Sequence, residues 1–206
     1  KTDAIYTGYL GSLEQIDLMK ELFNEFSGEG TVIMVDPAMA DQGQLYPAFD
    51  TDFARHMASL CAMADIVVPN LTEAAYVLGR DYVENPTKEQ VEEMLVALTE
   101  MGPSQAVLTG VSFAPGRIGA AAYDAKTKEF SYADAEQIEG YYHGTGDIYS
   151  SSLLGALLCG KSLEEAIRIA VDFTVGCIKR TYEADTDRKY GVDFEHELGN
   201  YIKALQ

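Results

Sequence analysis

Short β-rich runs alternate with helical stripes along most of this chain, and that alternation most narrows the choice of fold. Strands separated by helices pair in parallel through crossovers, which gives an α/β sheet covered by helices. The candidate strands are Ala4 to Tyr6, Thr31 to Val35, Ile66 to Val68 and Ala106 to Thr109. A later pair, Ile118 to Tyr123 and Glu129 to Tyr132, flanks the polar turn Asp124 to Lys128 and reads as a hairpin, so the sheet is expected to be mixed. Between the strands, Leu13, Ile16, Met19, Phe23 and Phe26 recur at helical spacing, as do Val91, Met94, Leu95, Leu98 and Met101, and both stripes read as core faces. Thr87 with Gln90, and Ser162 with Glu165, have capping-box spacing. The second of these opens a helix with the stripe Ala166, Ile167, Ala170, Phe173 and Cys177.

With 206 residues, 47% of them apolar, the chain can bury a sizeable core, and without an internal repeat or a linker it reads as one domain over residues 1–206. No apolar run approaches the roughly 20 residues that span a bilayer, and the start, Lys1 to Tyr6, carries no leader-like pattern, so no membrane partner and a cytoplasmic location are expected. Cys61, Cys159 and Cys177 are far apart among apolar neighbours and read as small core residues rather than disulfide or zinc partners. A net charge of −18 argues against nucleic acid as a partner, because the field repels polyphosphate. The same field repels a nucleoside triphosphate, so a chain like this can handle one only with divalent cations and a few local donors.

Four clusters could carry chemistry. His143-Gly144-Thr145-Gly146-Asp147 precedes an apolar helical stretch, and its small residues let backbone N–H groups converge on an anion at a helix start. In the plain alternative the glycines make a turn and Asp147 supports the first helical turn. Asp36-Pro37 follows a candidate strand and leads through Asp41 to Tyr46, which puts Asp36 at the rim where open α/β sheets place ligands. A capped βα turn is the plain alternative. In Pro69-Asn70-Leu71-Thr72-Glu73 the two oxygen-bearing side chains Asn70 and Glu73 share a helical face and could hold magnesium, or Asn70 or Thr72 could simply cap a helix. Thr109-Gly110 ends a further strand with a hydroxyl and a glycine suited to close phosphate approach. All four fall on one rim of the inferred sheet, so one site could use them together.

Taken in this order, these residues resemble the ribokinase superfamily, whose GTGD motif stands here as Gly144 to Asp147. Thr7-Gly8-Tyr9, Asp36-Pro37 to Tyr46 and Pro69 to Glu73 are similar to the corresponding segments of the pyridoxal and pyridoxamine kinases, so the likeness covers nearly the whole chain. The resemblance implies a ribokinase-like three-layer α/β/α fold with a mainly parallel central sheet. It implies Asp147 as general base and Gly144, Thr145 and Gly146 as the anion hole. Asp36, Asn70, Glu73, Thr109 and Gly110 would bind the nucleotide, with Asp36, Asp41 and Glu73 around the metal. Tyr9, Tyr46 and Asp147 would meet the substrate, Tyr46 from a loop over the site.

The implied reaction is phosphorylation of the 5'-hydroxymethyl group of pyridoxal, pyridoxamine or pyridoxine in vitamin B6 salvage, with ATP and Mg2+, a monovalent cation (K+ or Na+), and a homodimer as the assembly. Alternatives are a hydroxymethylpyrimidine kinase of thiamine biosynthesis and a non-catalytic nucleotide-binding fragment. No Walker sequence is present. Ala38 and Ala40 stand where the family often has a larger apolar residue and a glycine. The chain also starts where the family's first strands would already be complete, so an amino-terminal part is expected to be missing.

Overall fold

A computed structural model describes residues 2–184 and 191–206. The elements, in order, are β1 (Ala4–Thr7), α1 (Leu13–Phe26), β2 (Val32–Val35), β3 (Ala40–Asp41), β4 (Gln44–Leu45), α2 (Thr51–Cys61), β5 (Ile66–Val67), α3 (Leu71–Leu78), α4 (Lys88–Glu100), β6 (Gln105–Val111), β7 (Arg117–Asp124), β8 (Glu129–Glu136), α5 (Thr145–Leu158), α6 (Leu163–Ala184) and α7 (Leu198–Ala204). The chain packs as two compact units, one of Lys1–Val111 with Ala121–Phe130, the other of Ser112–Ala120 with Ser131–Gln206.

In the main sheet the hydrogen-bonding order is β1-β2-β5-β6-β7-β8. Parallel pairing joins β1 to β2, β2 to β5 and β5 to β6, as expected for strands separated by helices. The register sets Thr7 opposite Val35 and Val35 opposite Val67, which levels the carboxyl ends of three strands into one rim. The hairpin expected at Asp124 to Lys128 is present: Lys128 N–H donates to the Asp124 carbonyl at 2.7 Å, and the Asp124 carboxylate accepts from Lys126 and Thr127 N–H at 2.8 and 3.2 Å. So short a connection forces β7 and β8 antiparallel and makes the sheet mixed. Gln105 also donates to the Asp124 carboxylate at 2.6 Å.

Caps account for most helix boundaries. Ser12 accepts from Gln15 N–H to start α1, and Thr87 and Gln90 form the expected capping box at α4. Ser162 and Glu165 exchange the same two bonds at α6. Ile16 and Phe23 bury the α1 face, Val91, Leu95 and Leu98 that of α4, and all five expected α6 positions are buried. Among the described residues no helix is long and apolar enough to cross a membrane.

Three expectations need correction. Phe26 is 52% exposed rather than a core residue. It lies about 80° around the helix from Ile16, and it is the last helical residue before Ser27, whose N–H and hydroxyl both turn back to the Phe23 carbonyl. Cys159 is exposed, unlike buried Cys61 and Cys177, because it ends α5 just before Gly160 turns with φ +84. The strand carrying Thr109 and Gly110 does not end there but runs on to Val111.

Candidate active site

Within the first unit, the levelled strand ends gather several of the singled-out residues. Asp36 directly follows β2; its N–H donates to the Thr7 carbonyl at 2.9 Å, and the residue is 7% exposed. Thr7, last in β1, buries its hydroxyl at the rim with no hydrogen-bond partner. Beyond β5, Asn70 pairs with Thr109 of β6 as a parallel bridge, and Thr109 N–H donates to the Pro69 carbonyl at 3.0 Å. Gly110 follows with φ +72, a conformation that favours glycine.

The plain alternative for Asn70 is realised in full. Its side-chain oxygen accepts from Glu73 N–H at 2.9 Å, while Glu73 Oε2 accepts from Asn70 N–H at 2.8 Å, so α3 opens with a reciprocal capping box. Both side chains also reach out of the helix: Asn70 Nδ2 donates to the Ala40 carbonyl at 2.8 Å, and Glu73 Oε1 accepts from Met39 N–H at 3.2 Å. Glu73 is thus nearly sealed, at 3% exposed, with each carboxylate oxygen on a backbone amide. Burial, and next the negative charge of Asp36, push its pKa well above the ordinary carboxylate value, against the pull of those backbone amides. The Cys61 thiol is driven up too, first by burial and then by Glu73 and Asp36, which marks the three as one electrostatic neighbourhood. Sequence spacing gave no hint of Cys61 there, and its thiol is silenced rather than activated.

Among the described residues no three His, Cys, Asp or Glu side chains form a metal-holding group. Asp36 and Glu73 are the pair brought together, whereas the Asp41 carboxylate accepts from Gln42 N–H at 2.9 Å within the β3–β4 hairpin. Two buried carboxylates that repel each other nevertheless fit magnesium, which takes one or two carboxylates and completes its shell with phosphates and water.

Tyr9 and Tyr46 meet around a residue the sequence did not single out. The Phe49 ring lies 5.4 Å from Tyr9, 6.4 Å from Tyr46 and 3.9 Å from Phe53, on which it stacks. Tyr9 is 58% exposed, so it offers an aromatic face to solvent. A signal was available: Asp50 caps α2 by accepting from Asp52 and Phe53 N–H, and Phe53, Met57 and Leu60 follow it at helical spacing.

In the second unit, Gly144 to Asp147 form the start of α5. Gly144 is its N-cap with φ +76 and ψ 5, and no side chain caps the helix. The Thr145 hydroxyl donates backward to the Tyr142 carbonyl at 3.3 Å, while Gly144, Gly146 and Asp147 are exposed. The first-turn amides therefore lack the internal acceptor that Asn70 supplies at α3, and such a helix start receives anions. The turn is held from behind by a core cluster of Tyr142, Phe173, Cys177 and Val192, against which Ile148 packs. Tyr142 and Ile148 flank the motif on both sides, so this packing anchors it at both ends.

The family model for phosphomethylpyrimidine kinase matches residues 1–191. A Bacteroides thetaiotaomicron protein assigned as a phosphomethylpyrimidine kinase, solved with pyridoxal, is 33% identical with a TM-score of 0.91, over 97% of this chain and 70% of that one. Pyridoxal kinase from Lactobacillus plantarum is 29% identical with a TM-score of 0.86, over 98% and 71%. Pyridoxine kinase of Bacillus subtilis is 29% identical over 87% of this chain, and the chain spans 65% of the length of that relative. The mainly parallel α/β fold agrees with these structures, and the chain belongs to the phosphomethylpyrimidine kinase family, among the pyridoxal kinase-like members of the ribokinase superfamily.

Proposed function

We propose that this chain carries the catalytic machinery of an ATP-dependent kinase for the 5'-hydroxymethyl group of pyridoxal, pyridoxamine or pyridoxine. The observation that carries the reading is the uncapped start of α5, with exposed Asp147 in its first turn. In this reading the substrate hydroxyl oxygen forms a bond to the γ-phosphorus as the bond from that phosphorus to the β–γ bridging oxygen breaks. Asp147 takes the hydroxyl proton, the amides of Gly144, Thr145 and Gly146 receive the phosphoryl oxygens, and ADP leaves. Asp36 and Glu73, with Asp41 from the hairpin, would hold magnesium, which would neutralise phosphate charge when bound. Asn70, Thr109 and Gly110 line the nucleotide, and Tyr9 and Tyr46 flank the pyridine ring. The reading also takes residues 1–206 as one kinase domain, in a cytoplasmic homodimer, with K+ or Na+ as monovalent activator.

Family membership supports phosphoryl transfer to an alcohol, and the likeness to pyridoxal and pyridoxine kinases supports the vitamer. The second reading, a hydroxymethylpyrimidine kinase, is favoured by the matching family model itself. An ADP-release assay on pyridoxal, hydroxymethylpyrimidine and ribose separates them: we expect at least tenfold preference for pyridoxal, and preference for either other substrate overturns the assignment.

A further inference from the structure

The β3–β4 hairpin has two residues per strand, paired Ala40 to Leu45 and Asp41 to Gln44. A hairpin that short is marginal on its own. Its turn residues Gln42 and Gly43 have φ of +50 and +80, the two left-handed conformations of a tight hairpin turn, which glutamine does not favour. Its order must come from outside, and the bonds that supply it lead to one place, the first turn of α3.

At the base, Asn70 donates to the Ala40 carbonyl and Glu73 accepts from Met39 N–H, both on residues that are 0% exposed. Tyr46 N–H returns to the Met39 carbonyl at 2.9 Å and closes that base. At the tip, Gly43 N–H donates to the hydroxyl of Thr72, a side chain buried to 2% exposure, at 3.0 Å. The Tyr82 ring backs the same glycine so closely that an added Cβ would sit 2.8 Å from Cδ1. The base is therefore held by an amide and a carboxylate, and the tip by one neutral hydroxyl.

We propose that Thr72 is a positioning residue: its hydroxyl is the catch for the hairpin tip, with Asn70 and Glu73 as the fixed hinge, and it sets the placement of Asp41 and Gln44. Spacing alone had offered Thr72 only as an alternative helix cap, but Asn70 takes that role and leaves the Thr72 hydroxyl for the hairpin. The consequence for catalysis rests on the kinase reading, since Asp41 is assigned to the metal there. The consequence for hairpin order does not.

Thr72→Val keeps the shape and removes the acceptor; Thr72→Ser keeps the hydroxyl. Amide hydrogen exchange on the intact chain should rise about fivefold or more at residues 42–45 in the Val variant, the opening expected from losing one neutral hydrogen bond, and return in Ser. Amides of α3 and β2 should not change. Unchanged exchange at 42–45, or an equal rise in α3, overturns the catch. If the parent chain turns over ATP, the Val variant should raise KM several-fold with a smaller effect on kcat, and an unmoved KM with a loosened hairpin overturns the positioning role. If the parent chain shows no turnover, exchange alone decides the catch.

Discussion

The starts of α3 and α5 are the same kind of object, the positive end of a helix, and they are finished in opposite ways. At α3 the cap is complete: Asn70 and Glu73 satisfy each other's amides, and their remaining groups take Ala40 and Met39. At α5 a left-handed glycine begins the helix, no side chain caps it, and Asp147 is exposed. A helix start that satisfies its own donors is a structural joint, and one that leaves them unmet is a receptor. Two motifs that look alike as sequence, each a polar cluster with a carboxylate at the start of an apolar helix, thus divide into a closed helix start and an open one. Glu73 shares the electrostatic neighbourhood of Asp36, and each of its oxygens accepts from one backbone amide.

The largest effect that can break this comparison is on turnover. Asp147→Asn keeps the size of the side chain and removes the proton acceptor, so turnover should fall roughly 100-fold or more while ATP and substrate still bind. Near-normal turnover with a lowered thermal midpoint would make Asp147 a helix support like Asn70.

Next comes Asn70→Ala, which removes the cap and the bond to Ala40 together. Urea denaturation should show a loss of about 2 kcal/mol, the upper range for a helix cap, because the Ala40 carbonyl is also stranded. A loss under about 0.5 kcal/mol would mean that the α3 start is no more dependent on its cap than the α5 start.

The smallest effect is a slope with pH. The folded Glu73 carboxyl holds its proton more tightly than the unfolded one, because burial and Asp36 disfavour its charge. Its contribution to stability is therefore fully present below the ordinary carboxylate value of 4.5 and is lost as pH rises from there through the raised folded value. Glu73→Gln should flatten that part of the stability–pH profile, measured by denaturation at a series of pH values upward from the ordinary carboxylate value of 4.5. An unchanged slope would show that the backbone amides of Asn70 and Met39 outweigh the burial.

Much of the sheet was legible because its strands are bounded by capped helices: Thr87 with Gln90 and Ser162 with Glu165 lie where their spacing puts them. Among the candidate site residues of each unit, Asn70, Glu73 and Asp36 in the first and Gly144 to Asp147 in the second could be read as motifs, but not what each side chain touches. The second partner of Glu73 is the amide of Met39, 34 residues away, and no local pattern encodes that. The β3–β4 hairpin escaped because two-residue strands have no periodicity, and its Gln42-Gly43 turn lacks the Asn-Gly or Asp-Gly signal. Phe49 escaped because it precedes a helix rather than sitting on its stripe, and Cys159 because apolar neighbours do not reveal that a helix is ending.

That last residue gives the molecule a chemical asymmetry. Burial makes the Cys61 thiol hard to ionise and pushes Cys177 up to about 12, whereas Cys159 stands in solvent. A maleimide dye would thus enter at one position without any cysteine being engineered out. Cys159 ends the same 14-residue helix that Gly144 begins, so the label would ride about 21 Å from Gly144, on the opposite pole of one rigid rod. Attached there, it would report the orientation of α5 by depolarisation while leaving the chemistry at the other end undisturbed.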